Sequence, residues 1–286
     1  MKTKKVRIFG RKILMNFVFV IFVFYAVSLI YPLIWAFLSS LKTSTEYMTT
    51  NKIALPKTWE FYNYVRAFQI LNIDGNNMFT MLFNSLWFTA GGAFVGMAVS
   101  TMVAYVVAKY HFPGGQTIYW IAIVTMMIPV VGCMPSQFKV YTALGIIESP
   151  MLLIAFAGGF GFNFMVLYSF FKSLPSSYIE AGFIDGAGHF TCFWRIMIPQ
   201  AIPVVSALAI VSAIGFWNDY NTPLLFLKNY PTLSSGLYMY QIINTRNLDM
   251  PALFAGILMS MIPIVILFAA FQNSIMDITL SGGLKG

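Results

Sequence analysis

The chain has 286 residues, of which 59% are hydrophobic and only 9% charged, with a mean hydropathy of +0.76. A soluble domain carries about a quarter charged residues, so a water-soluble globule is excluded and an all-α integral membrane protein is expected. The formal net charge of +8 does not point to nucleic acid, because no basic stripe interleaved with aromatic residues follows the first dozen positions; membrane topology accounts for the excess.

Residues 1–12 hold Lys2, Lys4, Lys5, Arg7, Arg11 and Lys12 with no acid, which reads as a basic cytoplasmic N-terminus. Residues 13–80 follow as a first span, about 13–38, and an external loop. That span is long enough for about 30 Å of hydrocarbon and too long for a signal-peptide apolar core. Within 39–78, the aromatics Trp59, Phe61, Tyr62 and Tyr64 predict a short amphipathic helix near 61–68, and Asn72-Ile73-Asp74-Gly75 predicts a turn.

Residues 81–271 form the expected core, with 272–286 as a cytoplasmic tail. A second span covers about 81–108, where Gly91, Gly92 and Gly96 permit close helix approach. A third, about 117–141, carries Pro129 and Pro135 as expected kinks, and a fourth, about 151–171, has Gly158, Gly159 and Gly161 at its middle. A fifth is expected over 201–227 and a sixth over 251–271, giving six crossings with both termini cytoplasmic. Cys133 lies in an apolar run and Cys192 in a polar one, so both read as small core residues and not as a disulfide.

Between spans four and five lies the polar segment 172–200. Ser177 and Glu180 stand in the S-x-x-E relation of a capping box, which predicts a helix over about 178–187 ended by Gly188. A second short helix is expected over 190–198, stopping at Pro199. The chemistry absent from the chain also narrows its function. There is no G-x-x-x-x-G-K-[ST] phosphate loop, no His/Cys/carboxylate cluster for a metal, and only His111 and His189 to serve as imidazole bases.

Glu180-Ala181-Gly182, then Gly186, nine residues, and Ile196, Ile198 and Pro199 resemble the EAA loop of ABC importer permeases. In that family the pattern reads E-A-A, a Gly, nine residues, then I-x-L-P. Here Gly182 replaces the second Ala and Ile198 the Leu. The fuller string Phe171-Lys172-Ser173-Leu174-Pro175, Ile184-Asp185-Gly186-Ala187, Phe216-Trp217-Asn218-Asp219 and the closing Gly283-Leu284-Lys285-Gly286 are similar to the carbohydrate-uptake, MalG-like branch. The resemblance implies a non-catalytic permease in a bacterial plasma membrane, with the 172–200 loop as a coupling helix-turn-helix. It further implies a MalF-like second permease subunit, two copies of an ABC ATPase that bind the ATP and magnesium, an external sugar-binding protein and a carbohydrate substrate. Membrane lipid surrounds it, and nucleic acid has no part. Glu180, Ala181, Gly182, Asp185, Gly186, Ala187, Arg195 and Pro199 are then the residues that would face or shape the ATPase contact.

Several of these residues have a second reading. Glu180 is both a capping partner and an orienting group, and Arg195 suits lipid headgroups as well as a protein partner. Asp185 in a last helical turn opposes the helix dipole, which argues for a partner outside the helix. Asp219 is the one carboxylate in an apolar span, placed near its outer end as an interfacial anchor or the lip of a substrate path. Asn163 fits an inter-helix hydrogen bond or a sugar hydroxyl. Phe160, Phe162, Phe164, Trp217 and Tyr220 could stack on sugar faces or simply pack, and Asn218 belongs to the same stretch. A permease for a non-sugar solute and an ion-coupled secondary transporter are the competing readings; no internal repeat supports the latter.

Overall fold

The computed structural model describes residues 2–128, 132–243 and 248–283, with side chains over 14–272. Among the described residues four helical stretches are long and apolar enough to cross a membrane: Leu14–Ser40, Met78–Lys109, His189–Asn218 and Met250–Gln272. Among the described residues the only extended pairing is an isolated bridge between Ile73 and Asn76.

The chain divides into two units, Met1–Leu71 with Gln241–Met259, and Asn72–Tyr240 with Ser260–Gly286. In the first, α1 (Lys2–Ser40) ends where Lys42 folds back, buried, and donates from Nζ to the carbonyls of Asn51 at 3.4 Å and Lys52 at 3.1 Å. A buried ammonium needs such acceptors. α2 (Ser44–Thr49) is capped by the Thr43 hydroxyl, which accepts from the Glu46 N–H at 3.1 Å. α3 (Asn63–Ile70) follows the expected amphipathic segment closely. Its Arg66 pairs with Asp249 at 2.6 Å, and the Ser44 hydroxyl donates to the same carboxylate at 2.9 Å.

In the second unit the 72–75 turn forms as expected, with Asp74 and Gly75 at positive φ. α4 (Met78–Lys109) then runs the length of the unit and packs along both α7 (Phe162–Ser173) and α10 (Ile198–Asn218). A side-chain carbon at Gly92 would sit 3.0 Å from the Phe216 ring, so glycine there does permit the close approach of α10.

Spans three and four are not continuous helices. The third is divided into α5 (Gly115–Met127) and α6 (Met134–Ala143), with Pro135 in the first turn of α6, where a missing N–H is harmless. Pro129, the other expected kink, lies outside the described residues. The fourth is a 3-10 turn (Pro150–Phe156), then non-helical backbone with Gly159 at φ +66° and Gly161 at φ +140°, then α7. No right-handed helix passes through such dihedrals.

The fifth span ends earlier than expected, at Asn218. Pro223 fits only a first helical turn, so α11 (Asn221–Phe226) begins afresh and α10 stops before it. Asp219 is therefore a junction residue and not one embedded in a span; its Oδ1 accepts from the Thr222 N–H at 3.1 Å. α12 (Leu233–Ile243) occupies the loop beyond, and α13 (Met250–Gly283) extends past the expected sixth span.

The 172–200 segment departs from expectation in three ways. α8 spans Ser177–Ile184, with Ser176 at its cap and no side-chain cap hydrogen bond, so the Ser177–Glu180 capping box does not form. Ser176 is itself in the right-handed helical region and its carbonyl accepts from both Ile179 and Glu180 N–H groups, which places Ser177 inside the first turn. The helix ends at Gly186, at φ +81°, and not at Gly188, which lies at φ −77°. The Ala187 N–H donates to the Gly182 carbonyl at 2.9 Å and the Gly186 N–H to Phe183 at 3.1 Å, the two bonds of a Schellman cap.

No separate second short helix exists. A turn at His189–Thr191 (α9) enters a π-helical turn, Cys192–Met197, and continues through Pro199 into α10. Pro199 has no N–H for the preceding turn, and the Gln200 side chain donates to the Ile196 carbonyl at 2.9 Å.

Candidate functional site

α8 and the π-helical turn form a polar and aromatic cap on one end of the second unit. One face of this cap is buried: Ile179, Cys192, Phe193 and Met197 belong to the same apolar cluster as Met97, Tyr105, Phe164, Leu167, Phe171 and Leu208 of α4, α7 and α10. Gly182 is the closest point of the α8 contact, since a side-chain carbon there would lie 2.7 Å from Ile196 Cδ1 and 3.0 Å from Cys192 Sγ. Aromatic contacts extend the join. The Tyr105 ring lies 4.9 Å from Phe193 and 5.6 Å from Phe171, and the Tyr110 hydroxyl is 2.9 Å from His189 Nδ1. The Lys109 ammonium donates to the Leu174 carbonyl, tying the end of α4 to the chain entering α8.

The other face is bare. Ile184 is 86% exposed and Phe190 75%, with Tyr178, Phe183 and Trp194 also open. Apolar side chains that stand out this far beside carboxylates mark a surface built to be covered. Of the residues anticipated here, Glu180, Ala181, Asp185, Gly186, Arg195 and Pro199 are exposed, Ala187 is half-buried and Gly182 is buried. Arg195 has no ion pair among the described residues. Tyr178, Ile184 and Phe190 were not anticipated; an apolar residue in the last turn before a helix-ending glycine was the available signal for Ile184 alone.

A cavity of about 500 Å³ opens between α4, α10 and the start of α7, with no residue of the cap among its lining. Gly92, Gly96 and Ser100 present one face of α4 to it, and Ser212 and Phe216 one face of α10, with Asp219 at the cap just past its end. The i, i+4, i+7 spacing of that second set is a helix-face pattern, and it was the available signal for Ser212 and Phe216. Asn163 also lines the cavity, in the first turn of α7, and its Nδ2 donates to the Ser212 hydroxyl at 3.0 Å. The inter-helix hydrogen bond and the cavity position, which had looked like alternatives, hold together.

The remaining anticipated residues divide. Phe160 and Phe162 line the cavity. Phe164 is wholly buried in the core, and Trp217 is buried with its indole N–H on the Ser260 carbonyl at 3.1 Å, so both pack instead of lining the cavity. Asn218 donates to the Ile214 carbonyl at 2.9 Å, and the Tyr220 ring packs at a tilt against Tyr238 with centroids 4.7 Å apart; neither residue lines the cavity. Among the described residues no group of three or more His, Cys, Asp or Glu could hold a metal ion.

Comparison with known proteins bears on both sites. The chain is 30% identical to the diacetylchitobiose uptake system permease protein NgcG of Streptomyces coelicolor over 257 residues, 88% of this chain and 83% of that one. It is 28% identical to the arabinooligosaccharides transport system permease protein AraQ of Halalkalibacterium halodurans, covering 93% of this chain and 94% of the relative. A chain in the crystal structure of a bacterial ABC transporter involved in the import of the acidic polysaccharide alginate matches with a TM-score of 0.77 at 25% identity, over 93% of this chain and 96% of that one. Residues 96–276 match the binding-protein-dependent transport system inner membrane component family, which is more than half of the chain and includes both the cap and the cavity-lining faces of α7 and α10. The chain belongs to that family, as the resemblance carried by Glu180, Gly186 and Pro199 implied.

Proposed function

We propose that this chain is a transmembrane permease subunit of an ATP-driven, binding-protein-dependent carbohydrate importer. Its work is mechanical: it couples closure of partner ATPases to alternating access of a sugar path. The observation that carries the reading is the two-faced cap. Ile184 and Phe190 stand exposed for a partner, while Ile179, Cys192, Phe193 and Met197 are fixed in the same core as α4, α7 and α10. A push on the exposed face is therefore passed to the helices that line the cavity. Glu180 and Asp185 offer carboxylates at the edge of the docking face, and Gly186 closes α8 so that Ile184 projects.

The family supplies the rest of the assembly. A MalF-like second permease would complete the pore, two ABC ATPase copies would bind the ATP and magnesium and perform the hydrolysis, and an external binding protein would deliver the sugar. Carbohydrate is favoured because relatives are named for diacetylchitobiose, arabinooligosaccharides and maltodextrin. In the proposed topology the basic N-terminus, the 172–200 cap and the C-terminus are cytoplasmic in a bacterial plasma membrane. Four crossings are single helices and two are broken ones. Discontinuous spans are tolerated where the freed backbone faces protein or a cavity, as Gly158, Gly159 and Gly161 do here. Asn163, Ser212 and Asp219 would meet the passing sugar.

Uptake into vesicles carrying the whole complex tests this. Accumulation should require both ATP and the binding protein; accumulation driven by an ion gradient alone overturns it.

A further inference from the structure

The cavity is lined by polar groups that differ in one respect: Ser100, Asn163 and Ser212 are neutral, and among the described residues Asp219 is the only ionisable side chain on its wall. Among the described residues Asp219 takes part in no ion pair. Among the described residues its hydrogen-bond partner is the Thr222 N–H on Oδ1, and Oδ2 has none. Two helix ends also lie at the wall, the N-terminus of α7 at Phe162 and the C-terminus of α10, whose capping residue is Asp219. Their partial charges are about +0.5 and −0.5 and offset one another, so the full charge on Asp219 decides the sign of the potential.

We propose that Asp219 makes this cavity charge-selective, so that it admits neutral and amino-bearing saccharides and excludes those that carry carboxylates. The inference rests on the reading of the cavity as the sugar path. A uronate brought within several ångströms of an unpaired carboxylate in a partly dry cavity is opposed by roughly a five- to tenfold Boltzmann factor. A neutral sugar meets no such opposition, and its hydroxyls can donate to Oδ2. The selectivity belongs to the wall and adds to whatever the binding protein selects.

The test uses the complete complex with Cys133→Ser, Cys192→Ala and a reporter thiol at Phe162→Cys, which lines the same cavity and is exposed. Modification rates are measured with a cationic trimethylammonium-ethyl and an anionic sulfonatoethyl methanethiosulfonate, each normalised to a free thiol. With Asp219 the anion is opposed and the cation favoured by roughly fivefold each, so the cation should react roughly twenty-five-fold faster than the anion. Asp219→Asn, which keeps an acceptor for the Thr222 N–H, should bring the ratio near one, and Asp219→Lys should invert it. Uptake of a neutral oligosaccharide and of the same saccharide oxidised to a uronate is measured in parallel, and Asp219→Asn should raise the uronate-to-neutral ratio roughly five- to tenfold. A thiol ratio that is the same in all three proteins, or an uptake ratio that Asn leaves unchanged, overturns the proposal. Should uptake of both sugars prove independent of ATP while the thiol ratio still follows residue 219, the importer reading falls and the charged wall stands.

Discussion

Gly182 is where the family pattern has alanine, and the structure supplies a reason that can be measured. Replacing Gly182 with Ala adds one methyl group to a position 2.7 Å from Ile196 Cδ1 and 3.0 Å from Cys192 Sγ. Two effects oppose each other. Alanine in place of glycine in a helix interior stabilises by about 1 kcal/mol. Overpacking a filled contact costs about 1–3 kcal/mol. Ile196 is half-buried and its terminal methyl can swing away, but Cys192 is wholly buried on the π-helical turn and has no room to yield. The overpacking term should therefore win by about 1 kcal/mol, which is roughly a fivefold increase in local opening. Moving the atom across the contact removes the conflict. Gly182→Ala with Cys192→Ala exchanges one heavy atom for another at the same place and should return to within about 0.5 kcal/mol of the parent, a coupling of about 1–2 kcal/mol in a double-mutant cycle. Hydrogen–deuterium exchange of peptides covering residues 177–197 in the detergent-solubilised complex reads these numbers. Slower exchange in Gly182→Ala alone would mean that helix propensity outweighs packing and that α8 is not seated as described.

Ile184→Glu and Phe190→Glu alter side chains that touch solvent, so each should change thermal stability by no more than about 0.5 kcal/mol, yet both should abolish co-purification of the ATPase in mild detergent. Retention of the ATPase by both variants would remove this face from the interface. At Gly186 an added side-chain carbon meets nothing within 4 Å while φ is +81°, so Gly186→Ala should weaken the cap by backbone strain alone, about 1–2 kcal/mol; Gly186→Asn should recover part of that loss in the same exchange measurement. Glu148 sits at φ +55° and its carboxylate accepts from the Lys228 and Asn229 N–H groups at 2.9 and 2.8 Å. Glu148→Ala should therefore lower the thermal midpoint of the complex by about 1–3 kcal/mol equivalent, and a midpoint unchanged by the substitution would show those bonds to be replaceable by water.

Much of the architecture was readable from residue order because hydropathy integrates over whole helices. The runs 13–38 and 81–108 became parts of α1 and α4: both ends of α4 and the C-terminal end of α1 shift by a few residues, while α1 starts well before the apolar run, at Lys2. Residues 172–200 stood out because charge and capping residues interrupt apolar sequence. The end of α5 at Met127 and the break at 157–161 were not readable, since prolines and glycines occur inside continuous membrane helices as well as at their interruptions, and a hydropathy window averages across both. Gly186 and Gly188 are two residues apart and chemically identical. Only the reach of the Ala187 N–H to the Gly182 carbonyl selects the first as the helix end. Ser177 lost its capping role for a similar reason: Ser176, one residue earlier, was already helical in φ and ψ. The cavity shows a different kind of limit. Ser212, Phe216 and Asp219 share a face by spacing alone, but their importance depends on which helix lies opposite, and that comes from packing against α4 and α7.

The central claim is that the exposed cap moves as one body with the helices around the cavity. Spin labels at Ile184→Cys and Ile202→Cys, in a Cys133→Ser, Cys192→Ala background of the full complex, report the distance from the tip of α8 to the start of α10. That distance should stay within about 2 Å between nucleotide-free and ATP-trapped states. A change of about 5 Å or more, one helical turn, would show that the cap flexes against its own bundle and does not drive it.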